Sequence, residues 1–268
     1  LVGCNSDAFE NKDSSYASLM QVIREKTDCL CMWGLRSNET FLASSAPAVI
    51  DLVEERLDDA TIYHRTLHTP KGDLTHVSKV FDNVHTTWVM EHWCKSSEDV
   101  DKALSVPYEP VSYDASDLPR ITRELGGNGI IMDGLADPMY LAADLMEFGE
   151  YTVWALTETE HFARTIDALG ERCTENLRRS LDVHVSDLYR ICGPEYATPP
   201  YVPPVFFERF VVPYVTELVE IIHARGGKAR FHCHGKIGQV LDMIAATGAD
   251  ALDPCEAPPD GDIELADI

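Results

Sequence analysis

The sequence is short of positive charge, with 22 Lys and Arg residues against 45 Asp and Glu residues and a formal net charge of -23. It has no cluster of basic residues, which binding to the phosphates of a nucleic acid or of an anionic membrane would require. It also has no apolar run near the roughly 18 residues that a membrane-spanning helix needs, and no signal peptide opens the chain. We therefore expect a small-molecule substrate, and neither nucleic acid nor a membrane as a partner.

Paired cysteine motifs are missing as well. No Cys-x-x-Cys pair occurs among the eight cysteines, which are spread along the chain. A chain of 268 residues, of which 45% are hydrophobic, can bury a sizeable core without disulfide staples. Several cysteines fall in strand-like apolar runs, where Cys behaves as a small hydrophobe. A reducing, cytoplasmic setting is the simplest expectation.

Strand-like and helix-like segments alternate along most of the chain. This alternation predicts the α/β class, with a parallel sheet covered by helices. We expect a (β/α)8 TIM barrel whose last βα unit is absent from this chain, with a doubly wound sheet as the alternative. No Gly-x-Gly-x-x-Gly motif follows the first strand, which disfavours a dinucleotide-binding version of that alternative. The strand-like runs cover residues 28–34, 129–132, 185–192, 228–232 and 250–253.

One region departs from this alternation. Residues 60–81 alternate in strand fashion around a Pro70-Lys71-Gly72-Asp73 turn and predict a β-hairpin that projects from the barrel. Residues 86–94 add a candidate strand after it. The segment before the hairpin, residues 46–59, has the apolar spacing of an amphipathic helix.

In a barrel of this kind, chemistry takes place at the carboxyl ends of the strands. Metal-binding and proton-transferring side chains stand there in at least four separate segments. Some of these residues also have a purely structural explanation, since an aspartate at a strand end is a common helix cap and a glutamate is a common surface residue. The candidates are Asp133 after "GIIM", Glu195 and Tyr196 in "CGPEY", His232 and His234 after "KARF", and Asp253, Cys255 and Glu256 after "DAL".

The two histidines form the most informative pattern. His232 and His234 are two residues apart, so on an extended backbone both side chains point to the same side, while Cys233 points away into the core. A catalytic zinc site needs three protein ligands and one open position. His232 and His234, with either Glu195 or Cys255 as the third ligand, satisfy that requirement.

At these residues the sequence resembles the uroporphyrinogen decarboxylase superfamily. The resemblance rests on the order of motifs in "GPEYATPPYVPPVFFERF", "GGKARFHCHGKIGQVLDMI" and "GADALDPCEAPPDGDIELADI", and earlier on "HTPKGDLTHVSKVF" and "KSSEDVDKAL". It extends from about residue 15 to the end of the chain. It implies a single (β/α)8 barrel domain over residues 1–268, with the superfamily's opening segment and its last strand and helix outside that range.

The superfamily has two broad chemistries. Its haem-pathway decarboxylases need no cofactor and carry an Arg-Gln-Ala-Gly-Arg run near their start, which the first fifty residues here do not contain. Its other members, the methylcobamide:coenzyme M methyltransferases, bind zinc through a His-x-Cys at the end of the same strand and a further Cys near the C-terminus. Here His234 replaces the cysteine of that pair, and a distal cysteine would fall beyond Ile268.

The resemblance therefore favours a metal-dependent methyltransferase, which moves a methyl group between a corrinoid and a thiol or related acceptor. It implies Zn²⁺ as the metal and a partner protein that carries the corrinoid. His232, His234 and Cys255 would be metal ligands, Glu195 a third ligand or the acid/base, and Asp133 and Tyr196 would line the substrate cavity. Two alternatives stay open: a metal-free decarboxylase or lyase, and a corrinoid- or tetrapyrrole-binding protein without turnover.

Overall fold

A computed structural model describes residues 13–84, 86–264 and 266 of the chain. Five of the described strands form a parallel sheet: β1 (Cys29–Met32), β8 (Gly129–Ala136), β9 (Leu188–Cys192), β10 (Lys228–His232) and β11 (Ala251–Asp253). In the sheet they lie in the order β1-β8-β9-β10-β11, and each pair of neighbours is parallel.

The sheet is curled and covered by helices, which confirms the predicted α/β class with parallel strands. The described part of the chain supplies five parallel strands, about half of the staves of the predicted barrel. Closure into a complete (β/α)8 barrel, with the last βα unit missing, stays a prediction. So does the assignment of residues 1–268 to a single domain.

Helices of two to seven turns connect and cover the strands. None of the helices that the structure describes is both long and apolar enough to cross a bilayer. A single helix is predicted from Pro203-Pro204 to Gly226, but it divides after Phe210 because Pro213 has no N–H to donate and its ring crowds the preceding turn. The helices are α1 (Ala17–Lys26), α2 (Ser97–Leu104), α3 (Leu118–Leu125), α4 (Pro138–Asp144), α5 (Phe148–Thr157), α6 (Thr159–Val183), α7 (Pro204–Phe210), α8 (Val212–Ala224) and α9 (Leu241–Ala246).

The long connection between β1 and β8 carries a separate antiparallel sheet in the order β3-β4-β5-β6. The predicted hairpin is confirmed as its two central strands, and the candidate strand after it as an edge strand. Two short strands, one before this sheet in the sequence and one after it, pair as an antiparallel ribbon. The strands are β2 (Arg36–Ser37), β3 (Val49–Arg56), β4 (Ala60–Thr69), β5 (Gly72–Phe81), β6 (Thr87–Glu91) and β7 (Tyr113–Asp114).

The helix predicted over residues 46–59 is wrong, because this segment forms the edge strand β3. All eight of its residues pair with β4, from Val49 opposite His68 to Arg56 opposite Thr61. The apolar residues that suggested a helical face, among them Leu52 and Val53, are exposed in this strand. Pairing with the hairpin thus overrides the local helical pattern, in a segment rich in β-branched Val and Ile.

Helix α6 ties this long connection to the parallel sheet. Leu42 and Ala43 have positive φ angles of 46° and 56°, an unfavourable conformation for residues with a side chain. The carbonyl of Leu42 accepts a hydrogen bond from Arg172 Nη1 at 3.0 Å, and that of Ala43 accepts one from Asn176 Nδ2 at 2.6 Å. Two buried side chains of α6 therefore hold the turn in its strained shape.

The apolar core lies mainly between the helices and the parallel sheet. The larger buried cluster surrounds α4 to α8 and the helix-facing residues of β9 and β10, such as Ile191 and Phe231. A smaller cluster lies between α1, α3, β1 and the start of β8, and contains Ile23, Cys31 and Ile131. The two clusters contact adjoining parts of one sheet, so the helices fix its strands from one side and leave the other side for polar residues.

Candidate functional site

The parallel strands present their charged residues on the face of the sheet that is turned away from the apolar core. Alternation along each strand separates these residues from core residues such as Ile191 and Phe231, which are fully buried. The strand register places Arg190 beside Arg230 and Cys192 beside His232, and places His232 beside Asp253. We call the side of the sheet that carries these five residues the inner face, and the opposite side the helix face.

His232 has both ring nitrogens occupied on the inner face. A guanidinium nitrogen of Arg190 lies 2.5 Å from His232 Nε2, and Asp253 Oδ2 lies 3.1 Å from His232 Nδ1. Because a guanidinium only donates, Nε2 must be the acceptor, and Nδ1 then carries the proton that it donates to Asp253. The neighbours thus select the tautomer of this buried imidazole, whose residue is 6% exposed.

Asp253 joins His232 to a second arginine. Its Oδ2 atom also forms an ion pair with Arg230, whose Nη1 lies 3.3 Å from the sulfur of Met132. Burial alone raises the pKa of Asp253, but hydrogen bonds from His232 and Arg230 hold the pKa below its usual value. Its other oxygen, Oδ1, is buried and has no hydrogen-bond partner among the described residues.

His234 repeats the histidine–carboxylate arrangement closer to solvent. Its Nδ1 atom donates to Glu256 Oε1 at 3.0 Å, and the backbone N–H of Gly235 donates to Glu256 Oε2 at 2.7 Å. These bonds, chiefly the one from Gly235, lower the pKa of Glu256. The side chain of His234 is 55% exposed, so this imidazole is accessible while that of His232 is enclosed.

The two imidazoles lie side by side, as their spacing predicts. Their ring centroids are 4.7 Å apart and the rings are nearly perpendicular. Cys233, between them in sequence, is fully buried and packs in the apolar core, which is where the alternation places it. Its burial raises the pKa of the Cys233 thiol well above the usual value.

Two residues at this site, both histidines, are of a type that binds zinc. Histidine ligands of metals usually donate their other ring N–H to a carboxylate, which fixes the ring and leaves one nitrogen for the metal. His232 and His234 have this arrangement, with Asp253 and Glu256 as the carboxylates. However, within residues 13–84, 86–264 and 266 no three or more His, Cys, Asp or Glu side chains are grouped so that they hold an ion.

Cys255, the weaker ligand candidate, is not brought into such a group with the two histidines. It is partly buried and packs against the larger apolar cluster, and this burial raises the pKa of its thiol. The next residue, Glu256, contacts His234 instead. A ligand role for Cys255 stays a prediction.

Glu195 lies in a cleft with His232. This cleft, which we call the inner cleft, has a volume of about 400 Å³ and is lined by Gly134, Leu135, Ala136, Tyr140, Arg190, Cys192, Glu195 and His232. The loop after β9 holds the carboxylate, because the backbone N–H of Gly193 donates to Glu195 Oε2 at 3.0 Å. Gly193 has a φ of 129°, and a Cβ atom there would lie 1.8 Å from Asp137 Oδ1, so glycine alone fits this turn.

Tyr196 packs one layer behind the inner cleft. Its ring lies 6.3 Å from the ring of Tyr140, which does line the cleft, and 6.1 Å from that of Phe148. Burial raises the pKa of the Tyr196 hydroxyl. Tyr196 is not among the residues that line the inner cleft, and its part in lining a substrate cavity stays a prediction.

Asp133 is separated from the other candidates. Strand β8 does not end at this residue but continues to Ala136, and Asp133 pairs with Tyr189. With Tyr189 it lines a second cavity of about 270 Å³ on the helix face, together with Cys173 and Leu177 of α6. Burial raises the pKa of the Asp133 carboxyl to about 6.

The carboxylate that does follow β8 is Asp137. It caps α4 by accepting a hydrogen bond from the backbone N–H of Tyr140 at 2.8 Å, and its residue is fully buried. Burial raises the pKa of Asp137 well above the usual value. This carboxyl, which caps α4 next to the Gly193 turn, supports the loop that carries Glu195.

Two inner-face residues at this site lie outside the sequence-based candidates: Arg190 and Arg230. A signal for the two arginines does exist in the sequence. Each is a charged residue inside a short apolar strand, in "LYRIC" and "KARFH", two positions before the last residue of the strand. In a strand, positions two apart share a face, so Arg190 lies on the same face as Cys192 and Arg230 on the same face as His232.

Comparison with known proteins identifies the family. The family model described as "Uroporphyrinogen decarboxylase (URO-D)" matches residues 78–259, more than half of the chain and all of the inner-face residues. The chain belongs to the uroporphyrinogen decarboxylase family. No curated protein sequence matches it.

Among solved structures, a methyltransferase from Methanosarcina mazei is similar to this member of the family. The sequence identity is 19% and the TM-score 0.47, over 63% of this chain and 49% of that methyltransferase. The chain thus corresponds to about half the length of that protein.

Proposed function

We propose that this member of the uroporphyrinogen decarboxylase family is a zinc-dependent methyltransferase, which moves a methyl group between a corrinoid on a partner protein and a thiol. One observation carries the proposal: two imidazoles 4.7 Å apart at the carboxyl end of β10, each with its Nδ1–H held by a carboxylate. This is the arrangement that histidine ligands of zinc usually have. Family membership supports it, since the strand ends are where barrels of this kind hold their chemistry.

Each residue of the site has a role in this proposal. Asp253 and Glu256 hold the Nδ1 atoms of the two imidazoles, so the Nε2 atoms would be the ones to bind a zinc ion, with a third ligand still to be assigned. The zinc ion, when bound, favours the thiolate form of the substrate thiol at neutral pH. Glu195, whose Oε2 is held by Gly193, lines the same cleft as His232 and accepts the thiol proton. Tyr140 and Cys192 enclose the substrate.

Zinc content and affinity across a set of variants test the proposal. His232→Ala and His234→Ala each remove a ligand and should lose tight zinc binding. Cys233→Ala is the matched control, because Cys233 is buried away from the cleft; it should keep the metal and lose on the order of 1 kcal/mol of stability. His234→Cys should bind zinc at least as well, since thiolate is a strong zinc ligand. Equal zinc in the wild type and all four variants, or zinc in none of the five proteins, would refute the metal site.

A metal-free decarboxylase or lyase is the second candidate, and a specific contact favours it. Arg190 donates to His232 Nε2, the atom that a metal would need, and Arg230 is paired with Asp253. Two arginines and a histidine on one face suit a substrate with carboxylate groups and a proton transfer by His232. Porphyrinogen turnover by protein stripped of metal with a chelator would favour this candidate over methyl transfer.

A further inference from the structure

The cavity beside Asp133, which we call the helix-face cavity, has no part in the proposed function. It has a volume of about 270 Å³ and lies between the end of β8, helix α6 and the connection that follows β1. The absence of a side chain at Gly34 makes room for the carboxyl, because a Cβ atom there would lie 2.6 Å from Asp133 Oδ1. At about 30 Å³ per water, the cavity equals the volume of roughly nine water molecules, which is enough for a small organic ligand.

The charged residues that line the helix-face cavity are both acidic. They are Asp133 and Glu39, and the lining residues that the structure describes include no lysine, arginine or histidine. The hydrogen bond that lowers the pKa of Asp133 comes from the backbone N–H of Gly134, and no cation contributes. Arg172 of α6 donates to the carbonyl of Leu42 instead. Within the described residues this half-buried carboxylate therefore lacks a cation, although carboxylates that lose contact with water are usually paired.

The rest of the lining suits the body of an organic cation. Four leucine side chains provide apolar contact: Leu35, Leu135, Leu141 and Leu177. Tyr113 and Tyr189 add aromatic rings, whose faces attract cations as well as apolar groups. Burial raises the pKa of both tyrosine hydroxyls and of the Cys173 thiol, so these three groups are neutral near pH 7. The carboxylates of Asp133 and Glu39 are then the charges that a ligand meets.

We propose that the helix-face cavity is a binding site for a small organic ammonium ion, which pairs with Asp133 and places its apolar part among the leucines. The proposal needs neither a metal nor methyl transfer, so it can fail without affecting the proposed function. It gives a reason for a carboxyl that is unfavourable in the empty cavity, since the ligand supplies the missing positive charge. A protonated amine fits better than a quaternary ammonium ion, because its N–H groups donate to the carboxylate.

Binding of butylammonium to the full chain at pH 7.5 tests the proposal. The ligands 1-butanol and butyrate have a similar size and are neutral and negative, respectively. A titration followed by amide NMR shifts gives both the affinity and the location of binding. Butylammonium should bind at least about tenfold more tightly than 1-butanol, and butyrate should not bind in the cavity. The shift changes should lie at Tyr113, Leu135 and Leu177, and not at His232.

Asp133→Asn removes the charge and keeps the shape of the side chain. It should weaken butylammonium binding at least about tenfold and leave the binding of 1-butanol unchanged. We expect this variant to fold, because it loses a carboxyl whose burial is unfavourable. Glu171→Gln is the matched control, since it removes one negative charge from an exposed position of α6 outside the cavity; it should keep the affinity of the wild type.

The pH dependence of binding gives a second readout. Because the pKa of Asp133 is raised to about 6, the affinity of the wild type for butylammonium should fall between pH 7.5 and 5, and that of Asp133→Asn should not. Several outcomes would overturn the proposal: no binding of butylammonium at pH 7.5, equal binding of butylammonium and 1-butanol, equal affinities of the wild type and Asp133→Asn, or shift changes at His232 instead of at the cavity. An equal loss of affinity in Glu171→Gln would show that the net charge attracts the ligand, and would overturn it as well.

Discussion

Asp133 is a half-buried carboxyl whose ionisation lowers the stability of the fold. Burial on the helix face raises its pKa from 3.8 to about 6, so the ionised form is disfavoured in the folded protein. Below about pH 4 the group is protonated in both the folded and the unfolded state and costs nothing. Between about pH 4 and 6 the unfolded chain ionises this group while the folded protein keeps it protonated, so stability falls across that window and stays at the lower value above pH 6. We expect Asp133→Asn to be more stable by about 2 kcal/mol at pH 7 to 8, and equal to the wild type near pH 4.

Denaturant unfolding across this pH range checks the prediction. Asp28→Asn is the control, because Asp28 is exposed; the stability of this variant should follow that of the wild type at every pH. A constant difference between Asp133→Asn and the wild type from pH 4 to 8 would mean that the ionisation of Asp133 is not the cause. Because Asp133 lies on the face opposite His232, zinc binding should be the same in the variant.

The inner face shows which residues of the site follow from the sequence. Strand alternation is enough to place His232 and His234 together and Cys233 in the core, because the period of two is fixed by backbone geometry. Arg190 and Arg230 are not strand-end residues, yet they reach the same region. Two strand residues span roughly 7 Å, which a long arginine side chain covers, so a search limited to strand ends omits such residues.

At the scale of elements, Asn176 of α6 anchors the connection that carries the antiparallel sheet. Its Nδ2 donates to the carbonyl of Ala43, and its Oδ1 accepts from the backbone N–H of Val111 at 3.2 Å and the hydroxyl of Tyr108 at 3.3 Å. Asn176→Ala leaves buried backbone groups without partners, and we expect a loss of about 2–3 kcal/mol in the free energy of unfolding. Calorimetry or denaturant unfolding measures this loss.

Hydrogen exchange shows where the loss of Asn176 acts. Amides of residues 41–44 and 108–111 should exchange faster in Asn176→Ala, while those of β9 and β10 keep their protection. Glu175→Ala is the matched control on the same helix: Glu175 is half-exposed and pairs with Arg179 at the surface, so its loss should change stability by less than about 0.5 kcal/mol. Uniform acceleration throughout the chain would contradict a local anchoring role.

Element boundaries depend on tertiary context that periodicity does not contain. The pair Asp133-Gly134 has the composition of a strand end, but β8 continues through it because β9 pairs with these residues and the helix-face cavity accommodates the carboxyl. Strand β3 has the apolar spacing of a helix, and pairing with β4 decides its conformation. The hairpin and the alternating βα segments were predictable because their turns and their apolar periods agree.

For the whole molecule, the dominant electrostatic feature is the excess of negative charge. With a net charge of -23, the folded chain repels itself at neutral pH, and bringing the charges together on folding costs free energy. Salt screens this repulsion and so stabilises the folded protein. It also weakens the attractive surface ion pairs, and that effect lowers stability. These ion pairs include exposed pairs such as Arg56–Asp82, and pairs of this kind contribute little to stability because solvent and salt screen them. Because acidic residues outnumber basic ones about two to one, repulsion should decide the sign of the salt effect.

We therefore expect the melting temperature at pH 7.5 to rise when the ionic strength increases from about 0.01 to about 0.15 M, which shortens the Debye length from roughly 30 to 8 Å. Choline chloride should raise it as much as sodium chloride at equal ionic strength, because screening does not depend on the identity of the cation. Near the isoelectric point of about 4.6 the effect should vanish or change sign, since only the attractive pairs remain to be screened. A fall in melting temperature with salt at pH 7.5 would show that the ion pairs outweigh the repulsion, and a rise with sodium alone would indicate a bound cation rather than screening.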